Sequence, residues 1–278
     1  MAYKFDQLIV TDIDGTIVSP PGVLSSMRTT DDRASSKRLR VLVQQANREG
    51  IGISFATGRH LRECMKLAAL LNVSGPGIFD GGRTLADTST GRVLAVENLD
   101  PTAVRHIRDI LKPSVYGVSH TWDGQGVKGW PMGNIVERVT TLRFSTAAKA
   151  VPIPQGVQEK LGIELERLPV AVSGGQGWLV RTAEVDKARF LHMFFDSYNV
   201  SSARSVGAGD TAQDLPILSA TGYAIVVGDD QELATIADVI IARPDGMATP
   251  DPVIRHGMAL LGREFGRESD VQPASTAA

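Results

Sequence analysis

Short apolar runs of strand length, each followed by a stretch of helical spacing, recur at both ends of this chain and lapse in its middle. Residues 8–11, 52–56 and 77–79 read as strands. Between them, 35–49 carries apolar residues at 39, 42, 43 and 46, and 61–71 has the same helical spacing. The rhythm returns late, with helices over 186–198, 212–220, 231–237 and 253–265 and strands over 203–206, 223–227 and 239–241. Strand–helix–strand alternation predicts an α/β fold, a parallel sheet with helices on both faces.

The middle follows a different rule. Strands over 92–96, 115–120, 140–145, 164–167 and 178–181 alternate more, their turns are rich in Gly and Pro, and the clearest helix, 101–111, opens on a proline. All three tryptophans (122, 130 and 178) lie here. The expectation is an inserted α+β domain at 84–183 within a core built from 1–83 and 184–265, with a polar, disordered tail at 266–278. Residues 20–32, with two prolines and a glycine, read as a long loop.

Composition narrows the function. A formal net charge of −2 does not suggest a nucleic-acid binder, which usually carries a basic stripe. The single cysteine, Cys64, excludes an internal disulfide and sits in a predicted helix, where a buried, inert thiol is expected. The N-terminal apolar run is too short for a signal segment or membrane span, which implies a cytoplasmic protein without membrane partners. Sequence leaves monomer and homodimer open.

Three motifs fall at predicted strand ends, where parallel sheets bind ligands. Asp12-Ile13-Asp14-Gly15-Thr16 follows the first strand. Two carboxylates two residues apart can hold a hard cation, and one can attack phosphorus while the other handles a proton. An EF-hand calcium loop fails, because the twelfth position is Val23 and not Glu. Thr57-Gly58-Arg59 follows the second strand and offers a hydroxyl, free backbone N–H groups and a guanidinium to phosphate, or a plain helix cap.

Asp210 and Asp214 follow the strand at 203–206, one helical turn apart if a helix starts there, and magnesium is commonly bound by one or two carboxylates with substrate phosphate. The same segment, Gly207-x-Gly209-x-x-Ala212 with Asp229 further on, also fits a dinucleotide fingerprint. Against that reading, Asp210 would repel the pyrophosphate. Lys187 opens the helix after the insert and could neutralise a phosphoryl oxygen.

Taken in order, Asp12-x-Asp14-Gly-Thr16, Thr57-Gly58-Arg59, Lys187 and Gly209-Asp210-x-x-x-Asp214 resemble the haloacid dehalogenase (HAD) superfamily of phosphatases, in its Cof-like branch with a C2B cap. The resemblance implies a Rossmann-like core, with 84–183 as the cap, and a magnesium-dependent phosphatase acting through an aspartyl-phosphate. Asp12 matches the nucleophile and a metal ligand. Asp14 matches the general acid–base, its carbonyl also on the metal. Thr57, Gly58 and Lys187 match phosphate-binding positions, and Asp210 and Asp214 complete the Mg2+ site.

The expected substrate is a small phosphorylated metabolite, a sugar phosphate ahead of phosphoglycolate. Candidate substrate contacts are Arg59, Gly82, Arg83, Gln213, His120, Trp122, Arg143 and Trp178, the tryptophans doubling as candidate cap core. Two departures from the branch, Gln213 for the usual Asn and Asp80-Gly81-Gly82-Arg83 for an Asn-Gly turn, bear on substrate contacts. The alternatives are a phosphomutase on the same scaffold, a dinucleotide-binding oxidoreductase and a catalytically dead phosphate-ligand sensor.

Overall fold

The computed structural model describes residues 5–18, 30–112, 115–147, 152–168, 175–182, 185–243 and 250–268. The chain divides into two compact units: residues 1–55, 71–73 and 195–278, and residues 56–70 and 74–194. The second takes in 56–70, 74–83 and 184–194, which the sequence pattern grouped with the core.

The first unit is built on five strands, β1 (Gln7–Thr11), β2 (Ile51–Phe55), β11 (Ser205–Gly209), β12 (Tyr223–Val227) and β13 (Val239–Ile241), in the order β13-β12-β11-β1-β2. Every pairing is parallel. β1, β2 and β11 are buried along their whole length, the near-continuous apolar pattern of a sheet covered on both faces.

Two glycines identify what covers it. Gly257, in α8 (Pro250–Glu268), lies so close to Ile9 that a Cβ would meet its side chain at 2.6 Å. Gly207 lies against α6 (Leu215–Ala220), where a Cβ would stand 3.3 Å from Ile217 O and 2.6 Å from the hydroxyl of Thr221, the residue that ends the helix. Ile9 pairs with Val206, so Gly207 points to the opposite face, and the two helices lie on opposite sides. Helix α1 (Thr30–Arg48) packs beside α8 and starts five residues earlier than the apolar spacing suggests, taking in 30–32 of the expected loop. Residues 20–29 lie outside the described set. Helix α8 likewise continues through 266–268, the start of the expected tail, and 269–278 lie outside the described residues.

Strand order reverses between β1 and β11: the chain goes from β1 outward to β2, and returns on the other side of β1 to continue through β12 to β13. That switch point is where an open parallel sheet leaves a crevice beyond its carboxyl ends.

Among its described residues the second unit holds two antiparallel sheets. β3 (Pro76–Phe79), β4 (Thr84–Asp87) and β5 (Val93–Val96) form one. Of the parallel alignment expected for 77–79, the described residues show a single bridge, Ala56 to Ile78, and the turn at 80–83 returns the chain to pair antiparallel in β4. The other sheet is β7-β6-β8-β10-β9, made of β6 (Val115–Trp122), β7 (Gln125–Lys128), β8 (Val139–Thr146), β9 (Glu164–Leu168) and β10 (Gln176–Arg181). Its core gathers Leu142, Phe144, Trp178 and Val180 with Val104, Ile107 and Leu111 of α3 (Pro101–Leu111). The remaining helices are α2 (Leu61–Leu71), where Cys64 is buried as expected, α4 (Gln155–Lys160), α5 (Leu191–Tyr198) and α7 (Gln231–Ala234). Among the described residues no helix is long and apolar enough to cross a membrane.

Candidate active site

Asp12 and Asp210 follow the two strands that flank the switch point. Thr11 pairs with Ala208, and the Asp12 N–H donates to Ala208 O at 2.8 Å, which extends the ladder to the first carboxylate. A tight loop follows, with the Gly15 N–H donating to Val18 O and the Val18 N–H to Ile13 O. Gly15 is at φ +83°, and a Cβ there would stand 2.2 Å from Asp210 Oδ2, so only glycine lets the first motif close against the third. Asp14, half-buried, occupies the turn itself.

One carboxylate oxygen each from Asp12, Asp210 and Asp214 lie within 4.8 Å of one another. Three carboxylates at that spacing repel one another unless a cation joins them. An oxygen-only donor set fits a hard divalent ion such as magnesium. Asp14 contributes no side-chain oxygen to this cluster.

Asp214 also braces the loop. Its Oδ2 accepts the N–H groups of Asp210 (3.0 Å) and Thr211 (3.1 Å) and the Thr211 hydroxyl, closing a capping box. Gly209 makes room for it, since a Cβ would meet Asp214 Cβ at 2.3 Å. The dinucleotide reading fails on these contacts. Gly207 serves packing against α6, and the N–H groups of 210 and 211 that a diphosphate would need are taken by Asp214. Gln213 is exposed in the short turn between them.

Two residues that the motifs did not assign touch Asp210. Thr16, fully buried, donates to Oδ1 at 2.9 Å, and Arg243 Nη2 donates to Oδ2 at 2.7 Å. Burial pushes the Asp210 carboxyl above the usual Asp range, aided by neighbouring Asp214, while the bonds from Arg243 and Thr16 pull it back. Thr16 was visible as part of the first motif. Arg243 had one signal, its place two residues beyond the last parallel strand.

In the second unit, the Thr57 N–H donates to Ile78 O (2.9 Å) and Thr57 Oγ1 accepts the Arg59 N–H (3.2 Å). The turn after β3 closes on this segment, with the Asp80 N–H donating to Arg59 O and the Gly81 N–H to Thr57 O. Gly82, at φ +105°, packs against the Asp186–Lys187 backbone, where a Cβ would stand 1.6 Å from Asp186 O. The Gly81–Gly82 turn therefore brings the Thr57 segment and the Lys187 turn together. Thr57 and Lys187 are both buried. Lys187 lies in a turn ahead of α5, which begins at Leu191 and not at 186.

The other candidate contacts are largely engaged in structure. Gly82 is a packing glycine. Arg83 is 4% exposed and donates to Glu97 O and to the Thr182 hydroxyl. Burial lowers its guanidinium pKa to about 10, so it keeps its charge. Trp178 lies in the hydrophobic core, its indole N–H on Thr146 Oγ1, and leaves no face for a sugar ring. His120 is buried with Nδ1 against Gly129 O, and burial lowers its pKa. Trp122 lies under the Arg138 guanidinium, 5.1 Å from the ring centroid. Arg143 Nη2 donates to Gly58 O at 2.8 Å, which ties β8 to the second motif. Arg59 is half-buried beside it in sequence.

A model of the haloacid dehalogenase-like hydrolases matches residues 9–122 and 136–246. The chain belongs to that family. It is 26% identical over 245 residues to a phosphoglycolate phosphatase of Methanopyrus kandleri, covering 86% of this chain and 92% of the relative. It is 22% identical to a 5-amino-6-(5-phospho-D-ribitylamino)uracil phosphatase of Bacillus subtilis, covering 82% and 86%. Its fold is that of a haloacid dehalogenase-like hydrolase from Bacteroides thetaiotaomicron (TM-score 0.68, 16% identity, 90% and 99% covered). It is also that of the HAD subclass IIB sugar phosphatase BT4131 (TM-score 0.61, 15% identity, 94% and 99% covered).

Proposed function

We propose that this hydrolase is a magnesium-dependent phosphatase of small phosphorylated metabolites, a sugar phosphate ahead of phosphoglycolate, with Asp12 as nucleophile. The observation that carries the reading is the cluster of Asp12, Asp210 and Asp214 at the switch point of the parallel sheet. The phosphatases among its relatives, one for phosphoglycolate and one for a phosphorylated ribityl compound, support the substrate class.

In this reading an Asp12 carboxylate oxygen attacks phosphorus and the bond to the ester oxygen breaks. Asp14 gives its proton to the departing alkoxide, leaving an aspartyl-phosphate and the free alcohol. Water then attacks the same phosphorus, Asp14 takes its proton, and the Asp12 carboxylate and inorganic phosphate are released. A magnesium ion held by Asp12, Asp210 and Asp214, with the Asp14 carbonyl, would supply charge neutralisation between the carboxylate and the phosphate dianion. The resemblance gives Thr57, Gly58 and Lys187 the phosphoryl oxygens, and gives 84–183 the role of a substrate-selecting cap on a core of 1–83 and 184–265.

The test is phosphate release from a panel of phosphorylated sugars and acids, with and without MgCl2. Turnover of several sugar phosphates that EDTA abolishes is expected. Isomerised sugar phosphate without free phosphate would make the protein a mutase, and no turnover of any phosphomonoester would refute the reading.

A further inference from the structure

Arg243 meets the carboxylate cluster through one nitrogen. Nη2 lies 2.7 Å from Asp210 Oδ2, and its other contact among the described residues is a long one, 3.5 Å to Val227 O. Nε is buried without a hydrogen-bond partner among the described residues. A guanidinium carries five donors in a fixed fork and, where it has a structural role, usually engages a carboxylate through two of them. This one instead lies against glycine. A Cβ on Gly15 would come within 3.1 Å of Nη2, and one on Gly228 within 3.8 Å. It is one-fifth exposed, while the Asp210 side chain is 7% exposed. Asp210 is therefore held from two sides by unlike means: a buried neutral hydroxyl on Oδ1 and a charged, partly exposed, singly anchored group on Oδ2.

We propose that Arg243 is an exchangeable internal counter-ion of the metal site. It neutralises Asp210 when no divalent cation is bound and leaves Oδ2 when one enters, while Thr16 keeps the carboxylate aimed through Oδ1. Arg243 is then a positioning residue that lowers cation affinity and relieves the repulsion among Asp12, Asp210 and Asp214 in the cation-free protein. This rests on the reading that the cluster holds a divalent cation.

The test is calorimetric titration of EDTA-stripped full-length protein with MgCl2 and MnCl2, wild type beside Arg243→Met. Thermal melts and a crystal structure with Mn2+ accompany it. Removing a competing unit charge this close should tighten binding roughly tenfold. The variant should melt lower than wild type in EDTA and match it in saturating Mg2+. The structure with Mn2+ should show the guanidinium off Oδ2. Unchanged or weaker affinity in Arg243→Met, or an arginine still on Oδ2 beside a bound ion, overturns the proposal. If neither protein binds either cation, the metal reading itself is refuted, and the counter-ion with it.

Discussion

The carboxylate of Asp214 accepts the backbone N–H of Asp210 at 3.0 Å, so one acid of the cluster holds the loop that carries another. Charge and bracing are separable by substitution. Asn at 214 keeps an oxygen for the two N–H groups and loses the charge, while Ala loses both. Asp214→Asn should weaken Mg2+ binding about tenfold or more and leave the melting temperature nearly unchanged. Asp214→Ala should weaken binding further and cost about 1–2 kcal/mol of stability, the usual loss of such a cap. Titration calorimetry and urea denaturation on the same preparations read the two effects. Equal destabilisation by both variants would mean that the charge itself holds the loop.

Asp12→Asn replaces the proposed nucleophile with a group of the same shape. Phosphate release should fall by on the order of a thousandfold or more, with the circular dichroism spectrum and melting curve unchanged. A variant that keeps a tenth of wild-type turnover with Mg2+ would remove Asp12 from that role.

Neighbouring glycines provide a controlled comparison. Gly81 and Gly82 both have positive φ, at +67° and +105°, but a Cβ on Gly81 meets nothing within 4 Å, whereas one on Gly82 would run into Asp186 O at 1.6 Å. Gly81→Ala should cost only the backbone strain, about 1–2 kcal/mol. Gly82→Ala adds a clash with main chain that cannot rotate away, and must displace the Asp186–Lys187 turn. It should cost clearly more, by denaturant titration, and raise the KM for any phosphoester substrate. Equal cost in the two variants would show that the Lys187 turn yields easily and is not held by Gly82.

Local patterning carried the sequence reading furthest where one element satisfies its own needs. Helix α3 was legible to the residue because Asp100 caps it, Pro101 opens it, and Val104, Ile107 and Leu111 fall on one face. The carboxylates of the cluster were legible because each follows a buried strand at the same sheet edge. Strand β4 was missed, since Thr84-Leu85-Ala86-Asp87 has polar ends and lacks the apolar run that marks Val239–Ile241, and with it the antiparallel turn that makes Gly82 a packing residue. Arg243 was illegible for a different reason. Its partner lies 33 positions back, and an arginine after a strand looks like any solvated charge until the sheet order brings β13 and β11 to opposite sides of β12. Trp178 is the converse case: its residue type suits both stacking on sugars and packing, and of the two expectations the fold takes the core.

Asp80 gives the clearest pH signature. It is 3% exposed, with Thr84 Oγ1 donating to Oδ2 at 2.8 Å and Oδ1 without a partner among the described residues. Burial pushes its pKa from 3.8 up to about 6, against the pull of the Thr84 bond and the nearby Arg143 and His60 charges. Between those two values the folded protein holds a proton that the unfolded chain has released. Stability therefore falls as pH rises from about 4 through about 6 and levels off above, where the buried charge is carried in full. The shift corresponds to about 3 kcal/mol at most. Asp80 has φ +55°, a conformation that Asn tolerates well, and Asn can still accept from Thr84. Asp80→Asn should be stabilised relative to wild type at pH about 7.5 by urea denaturation, with the advantage fading towards pH about 4. An advantage that persists unchanged at the lower pH would trace the gain to the backbone and not to the charge. A loss of stability at the higher pH would mean that the ionised Asp80, facing Arg143, is favourable where it stands.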